Sequence, residues 1–480
     1  MSEANLKTKT AKGLFWGAMN NGLQQLVGAV VGLVLLSRLT PGDYGLVGML
    51  TIFTALAVTM QEGGFKSALI NRSQESTEDH NSVFWFTLAV SAALYLILFF
   101  CARPIARFYG QPELVKLSRV LFLSFVLVSL SISSDALLLR RLMIRQRAAM
   151  DIAGAVVAGI VAIVMAVRGY GYWALVAHSL VQSAVTSLLK LLLTPWKPSL
   201  KISFKPIKEM LPFGLRLVGA SFVTQLQTNI FSVILGRFYT KTDVGYYSQG
   251  SKWASMGHQV FNGMVTSVGQ PVLSRASGDK ARQKAIFRKL SRFVAFAAFP
   301  CMLGLAFIAP EFISLVNAEF MPSVPILRIY CLYFIASLVQ TLFNQLAIAN
   351  GRSGRYLAFT VINAALQIAV ALASHRFGLV TMAACVTAAN FIAIPIWWLL
   401  SRDILGINFG HLVLDMAPYL GIALLAMVPA HFAAAAVGST ILRLLLKIAI
   451  VAGLYIAAML LTDSKTFRDV VTFVKKRELE

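Results

Sequence analysis

The feature that most constrains this chain is the recurrence, from end to end, of apolar runs separated by short polar breaks. A helix needs about 20 apolar residues to cross the ~30 Å hydrocarbon layer of a bilayer, and it satisfies its own backbone hydrogen bonds where no water can do so. The runs fall near Gly13–Ser37, Tyr44–Leu69, Val83–Cys101, Leu114–Leu139, Asp151–Arg168 and Tyr172–Leu193. After a polar connector they resume near Glu209–Gly236, Val244–Val272, Leu290–Ile308, Pro325–Ala349, Tyr356–Ser374, Leu379–Leu400, Leu412–Ala434 and Thr440–Thr462. A composition of 58% hydrophobic and only 13% charged residues is likewise outside the range of a soluble domain. The expectation is an all-α integral membrane protein of about fourteen transmembrane helices.

Lysine and arginine number 43 against 20 acids, a net charge of +23 that in a soluble protein would point to nucleic acid. Sorted by loop, however, 29 of the 43 fall on the side that holds the N-terminus, 13 on the other, and Arg216 lies within a run. The positive-inside rule then places both termini in the cytoplasm and accounts for the charge without a nucleic-acid partner. The dense basic stretch Arg275–Arg292 also suits contact with anionic membrane lipid. The first run is too long for a signal-peptide core, so it is expected to stay as a span. Cys101, Cys301, Cys331 and Cys385 are far apart in apolar surroundings and read as packing residues, with no metal or redox spacing.

A short pattern recurs about 200 residues apart: Arg38-Leu39 then Asp43-Tyr44-Gly45, and Arg237-Phe238 then Asp243-Val244-Gly245, with one residue inserted. Arg145 and Arg355 form a second match. The expected layout is an N-lobe of six spans over 1–193, a connector over 194–208, a C-lobe of six spans over 209–400, two further spans over 401–462 and a tail over 463–480. Two lobes of six spans share one orientation, related by an axis along the membrane normal. The connector Thr194–Lys208 carries three prolines and four lysines, which suits a basic strap on the inner surface. In the tail, Phe467, Val470, Val471 and Val474 fit either a short interfacial helix or a solvated end.

No phosphate-binding glycine loop, zinc-protease helix or nucleophile elbow is present, and no long external loop could house a catalytic domain, so no enzyme activity and no cofactor are expected. Polar residues within the spans carry the information instead, since each costs free energy unless paired or wetted. Asn20, Asn21, Gln24 and Gln25 cluster in the first span, with Asn21 and Gln25 on one face. Arg216, Ser221, Thr224, Gln225, Gln227, Thr228 and Asn229 cluster at the equivalent place in the seventh. Together they suggest a polar cavity between the lobes; singly, each serves equally as interhelical glue. Arg216 is the sharpest anion-binding candidate, with Lys66, Arg237 and Lys252 able to widen a positive lining or to snorkel. Gln249, among aromatic neighbours, and Asn344 complete the candidate substrate-binding set. Acids within or near the ends of spans are few, namely Asp135, Asp415, Glu62 and Glu311, which favours an anion over a cation as ligand.

Ser37-Arg38-Leu39-Thr40-Pro41-Gly42-Asp43-Tyr44-Gly45, Arg145-Gln146-Arg147 and Gly169-Tyr170-Gly171-Tyr172-Trp173-Ala174-Leu175-Val176, with the doubled six-span plan, make the chain resemble the polysaccharide flippases of the multidrug/oligosaccharidyl-lipid/polysaccharide exporter superfamily. The resemblance runs over nearly the whole chain and implies a bacterial inner-membrane protein that moves a polyprenyl-pyrophosphate-linked oligosaccharide to the periplasmic leaflet by alternating access. It also implies membrane lipid as surroundings and a polysaccharide polymerase or glycosyltransferase as partner. The rival readings are a multidrug/cation antiporter of the same superfamily, a membrane polysaccharide polymerase, and a non-transporting scaffold.

Overall fold

The computed structural model describes residue 20 and residues 22–72, 76–200 and 203–462; the tail lies outside them. Within the described residues the chain is helical and no strand occurs. Each of the fourteen apolar runs maps onto a helix or a bent helix pair in its described part. By length and hydropathy, nine of the described helices qualify as membrane spans, or up to eleven when each bent pair is taken as one. The expected fourteen is therefore not reached by this measure. The remainder are Gly22–Leu36 (α1), an apolar helix below spanning length, and Lys205–Phe238 (α11) and Lys241–Arg275 (α12), long enough to span but rich in Gln, Ser, Thr, Asn and basic residues.

The chain divides into two compact units, residues 1–245 and 246–480. The first continues from α1 through Pro41–Met49 (α2), Thr51–Gln61 (α3), a π-helical turn Glu62–Lys66, Ser67–Asn71 (α4), Thr77–Tyr109 (α5), Leu114–Leu121 (α6), Leu123–Ser129 (α7), Ile132–Arg140 (α8), Ile144–Val167 (α9) and Trp173–Leu193 (α10). It also takes in α11, which packs on α3, the π-helical turn and α5. The division by packing thus falls after α11, beyond the connector.

Local sequence sets the helix starts. Thr40 and Asp43 form a capping box at α2, Asp43 Oδ2 accepting from Thr40 N at 2.9 Å, with Pro41 pre-set in the first turn. Thr240 and Asp243 repeat that bond at 3.2 Å where α12 begins, and Ser76 with Asp79 does the same for α5. The repeat seen in sequence is thus a repeated helix cap. On α9, Gly154, Ala158, Ala162 and Ala166 make a small-residue face at four-residue spacing; a Cβ on Gly154 would lie 2.0 Å from Thr186 Oγ1 of α10. Small side chains of this kind let helices approach within a bilayer, where apolar burial gives no drive.

The second unit comprises the body of α12, Lys280–Val316 (α13), Val324–Ala349 (α14), Ser353–Ser374 (α15), Leu379–Leu405 (α16), Phe409–Ala435 (α17) and Thr440–Leu461 (α18). Two charge clusters tie α13 to the last helices. Arg288 and Arg292 both hold Asp415 of α17 at 2.6 Å, and Lys447 of α18 holds Glu311 at 2.6 Å with its ammonium 4.4 Å from the Phe307 ring centre. Lys447 and Glu311 are both buried, so Lys447→Met strands a carboxylate and is expected to cost about 3–5 kcal/mol. A fall in apparent Tm in detergent, largely recovered by adding Glu311→Leu, is the measurement.

At the end of α16, hydrogen bonds from Arg352 and then Arg355 hold the Asp403 carboxyl below its usual range. A lowered folded pKa adds stability above the unfolded pKa and loses it as pH falls through the folded one. Because Asp403 is half exposed, the gain is at most ~1 kcal/mol. Asp403→Asn should lower Tm slightly at neutral pH and not at all once wild-type Asp403 is protonated.

Candidate functional site

The first unit encloses a polar pocket of about 360 Å³. It is built where the π-helical turn, α8, the start of α9 and the last turns of α10 converge. The π turn carries Lys66, α8 carries Asp135, α9 carries Arg147 and Asp151, and α10 carries Lys190. Lys66 Nζ, Lys190 Nζ and Arg147 Nε lie 2.7, 2.6 and 2.7 Å from Asp135, so three cations converge on one carboxylate. Lys190 also reaches Asp151 at 2.8 Å. Three positive and two negative groups leave the cluster with one net positive charge. Coulomb attraction at these separations is strengthened by burial, and removing the Asp135 carboxylate would leave the three cations facing Asp151 alone.

Uncharged polar groups complete the wall: Asn20, Gln24, Ser131, Gln182, Ser183 and Thr186. Gln24 Nε2 donates to Asn20 Oδ1 at 3.1 Å, and Ser187 Oγ to Ser131 Oγ at 3.1 Å. The site is thus a charged, polar recess among apolar helices. It has donors in excess and can bind an anion by charge-assisted hydrogen bonds. No cluster of histidine, cysteine and acids able to hold a metal occurs among the described residues.

Of the residues expected from sequence, the structure puts Lys66 in this pocket. Asn20 and Gln24 of the first-span cluster line it; Gln25 is half-buried on α1 outside the lining. Asn21 and the side chains of Arg216, Thr224 and Thr228 lie outside what the structure describes. Arg237 donates to the Phe108 carbonyl at 3.1 Å and lies over the Phe108 ring, tying α11 to the end of α5. In the second unit Lys252 is exposed beside Trp253, its ammonium 5.7 Å from the ring centre. Gln249 and Asn344 each bury a side-chain oxygen that finds no hydrogen-bond partner among the described residues. Gln340 joins a closed network with Asn363, Gln367, Asn390 and Tyr333, donating to Asn390 Oδ1 at 2.8 Å, and serves as interhelical glue.

Sequence reasoning passed over Lys190 and Arg147, which counting by loop assigned to topology. The available signal was helical register: Arg147 and Asp151 are four apart on α9 and so share a face.

Apolar helices of spanning length around a charged, polar recess define a multi-pass membrane protein. The chain belongs to the family described as "Polysaccharide biosynthesis protein", which matches residues 35–325. It is similar to the "Succinoglycan biosynthesis transport protein ExoT" of Rhizobium meliloti (strain 1021), 26% identical over 62% of this chain and 61% of that one. It also resembles the "Lipopolysaccharide biosynthesis protein WzxC" of Escherichia coli (strain K12), 23% identical over 86% of this chain and 85% of that one. The alignments to ExoT and to the "Teichuronic acid biosynthesis protein TuaB" of Bacillus subtilis (strain 168) span less than two thirds of those relatives, 61% and 63%. In fold it matches a "Lipid II flippase MurJ, inward closed conformation" with TM-score 0.75 and 16% identity, over 96% of this chain and all of that one. A multidrug resistance MATE family transporter of the MOP superfamily, inward-facing, matches with TM-score 0.66 and 17% identity over 81% of this chain and 98% of that one.

Proposed function

We propose that this chain flips a polyprenyl-pyrophosphate-linked oligosaccharide from the cytoplasmic to the periplasmic leaflet of the bacterial inner membrane for surface-polysaccharide synthesis. The observation that carries the reading is the convergence of Lys66, Arg147 and Lys190 in a polar recess of the first unit. A pyrophosphate inside a bilayer needs charge-assisted donors, and arginine and lysine provide them. The hydroxyl and amide groups beside them suit the first sugars, while the lipid tail stays in the bilayer. With both termini cytoplasmic, an inside-negative potential favours outward movement of the anion by ~2.3 kcal/mol per charge per 100 mV. The protein acts as a carrier and makes or breaks no bond, and a polymerase or glycosyltransferase works beside it. Arg216, Lys252, Thr224, Thr228, Gln249 and Asn344 are further proposed contacts along the path.

Export of surface polysaccharide in a strain lacking the gene, complemented with wild type or Lys66→Met at matched membrane levels, tests this. Lys66→Met leaves Asp135 two cations and so preserves the fold. It removes one charge-assisted phosphate contact, worth ~1.5–3 kcal/mol, and should reduce export roughly tenfold or more. Normal export through Lys66→Met, or lipid-linked glycan reaching the outer leaflet without the protein, overturns the proposal.

A further inference from the structure

A second cavity of about 290 Å³ lies in the first unit, at the connector, and shares no residue with the charged pocket. Its lining includes Arg141 after α8, Lys197 of the connector, and Ser76 and Thr77 at the N-terminus of the 33-residue helix α5. Trp196 also lines it, is 7% exposed, and its indole Nε1 finds no hydrogen-bond partner among the described residues. Of the two acids of this first turn, Glu78 is exposed and Asp79 is held by its cap bonds and paired with Arg72 at 3.1 Å. Arg141, Lys197, whose ammonium also donates to the Leu191 and Leu192 carbonyls at 2.7 and 2.5 Å, two hydroxyls and a helix N-terminus thus line one recess, the donor types that bind a phosphate.

The surroundings say which phosphate. Leu200 is 82% exposed and Phe204 70% exposed on the connector, and Leu192 and Leu193 are exposed at the adjoining end of α10. Apolar side chains so placed beside lysines sit in a bilayer interface, with acyl chains as their neighbours. Trp85 fixes the connector there by donating from Nε1 to the Ser199 carbonyl at 2.8 Å, and Asn81 holds Ser199 Oγ at 2.6 Å. The geometry points to a binding site for an anionic glycerophospholipid, its headgroup phosphate between Arg141 and Lys197 and its chains along the exposed end of α10. The connector is thereby a lipid-anchored strap.

Native mass spectrometry of the purified full-length protein, offered phosphatidylglycerol and phosphatidylcholine of matched chains, tests the site. Wild type should retain phosphatidylglycerol in preference by roughly tenfold, and Arg141→Gln/Lys197→Gln should lose that preference. Arg103→Gln/Arg107→Gln, which removes equal charge at the far end of α5, should keep it. If the double variant does not fold, Arg141→Gln alone and Trp196→Phe, which keeps the ring and deletes the donor, should each weaken retention. No preference in wild type, an unchanged preference in the cavity variants, or an equal loss in the Arg103/Arg107 control overturns the site. Millimolar inorganic phosphate should not displace the lipid; if it binds alone and displaces it, the cavity is a free-phosphate site and the lipid assignment fails.

Discussion

Asp135→Asn is expected to be the most damaging single change in the charged pocket. The amide keeps the shape and deletes the charge on which Lys66, Arg147 and Lys190 converge within 2.7 Å. Asp151 then faces three cations alone, and breaking a buried ionic cluster by removing one partner costs about 3–5 kcal/mol. Apparent Tm in detergent and membrane abundance should both fall sharply, and export with them. Adding Lys66→Met to Asp135→Asn returns the cluster to one net positive charge. That pair should recover much of the stability while export stays impaired, because the substrate still lacks its contact. Full export by the folded double variant would show that Lys66 does not handle the substrate.

The second large effect is expected at two glycines, 45 and 245, one in each copy of the repeat. A Cβ on Gly45 would lie 1.7 Å from the carbonyl oxygen of Lys241, and a Cβ on Gly245 1.8 Å from that of Pro41. The contact is reciprocal: the first turn of each helix, α2 and α12, rests against the backbone of the other's cap. Backbone atoms cannot swing aside as a side-chain tip can, so the helix starts must separate. Overpacking a well-filled site costs ~1–3 kcal/mol, and a clash with backbone belongs at or above the top of that range. Gly45→Ala and Gly245→Ala should each lower Tm and export. Gly42→Ala is the control, since its Cβ would meet nothing nearer than 3.8 Å. Equal behaviour of Gly42→Ala and Gly45→Ala would mean that the close approach is not held in the working protein.

The repeat shows how far sequence alone reaches. Asp43 and Asp243 are legible as matching positions of a repeat, and the structure makes both of them helix caps, local chemistry over four residues. The same sequence gives no sign that the two caps touch, since that contact joins residues about 200 apart. Lys66 is legible as a candidate because it is a charge at the end of an apolar run. Its partners are hidden for the opposite reason: Arg147 and Lys190 sit in stretches where topology already accounts for basic residues. Among the second-unit glutamines, one residue type has two fates, Gln340 satisfied within a closed network and Gln249 with a buried oxygen left over. Register along a helix does not separate them.

The sequence by itself determined the solvent, the helical class and the approximate set of membrane elements, because each follows from hydropathy and backbone hydrogen bonding over a window of some twenty residues. Only the tertiary structure decided which charges meet. Lys66, Asp135, Arg147, Asp151 and Lys190 come from four separate elements, and a buried charge takes its meaning from partners a few ångströms away in space, however distant they are along the chain.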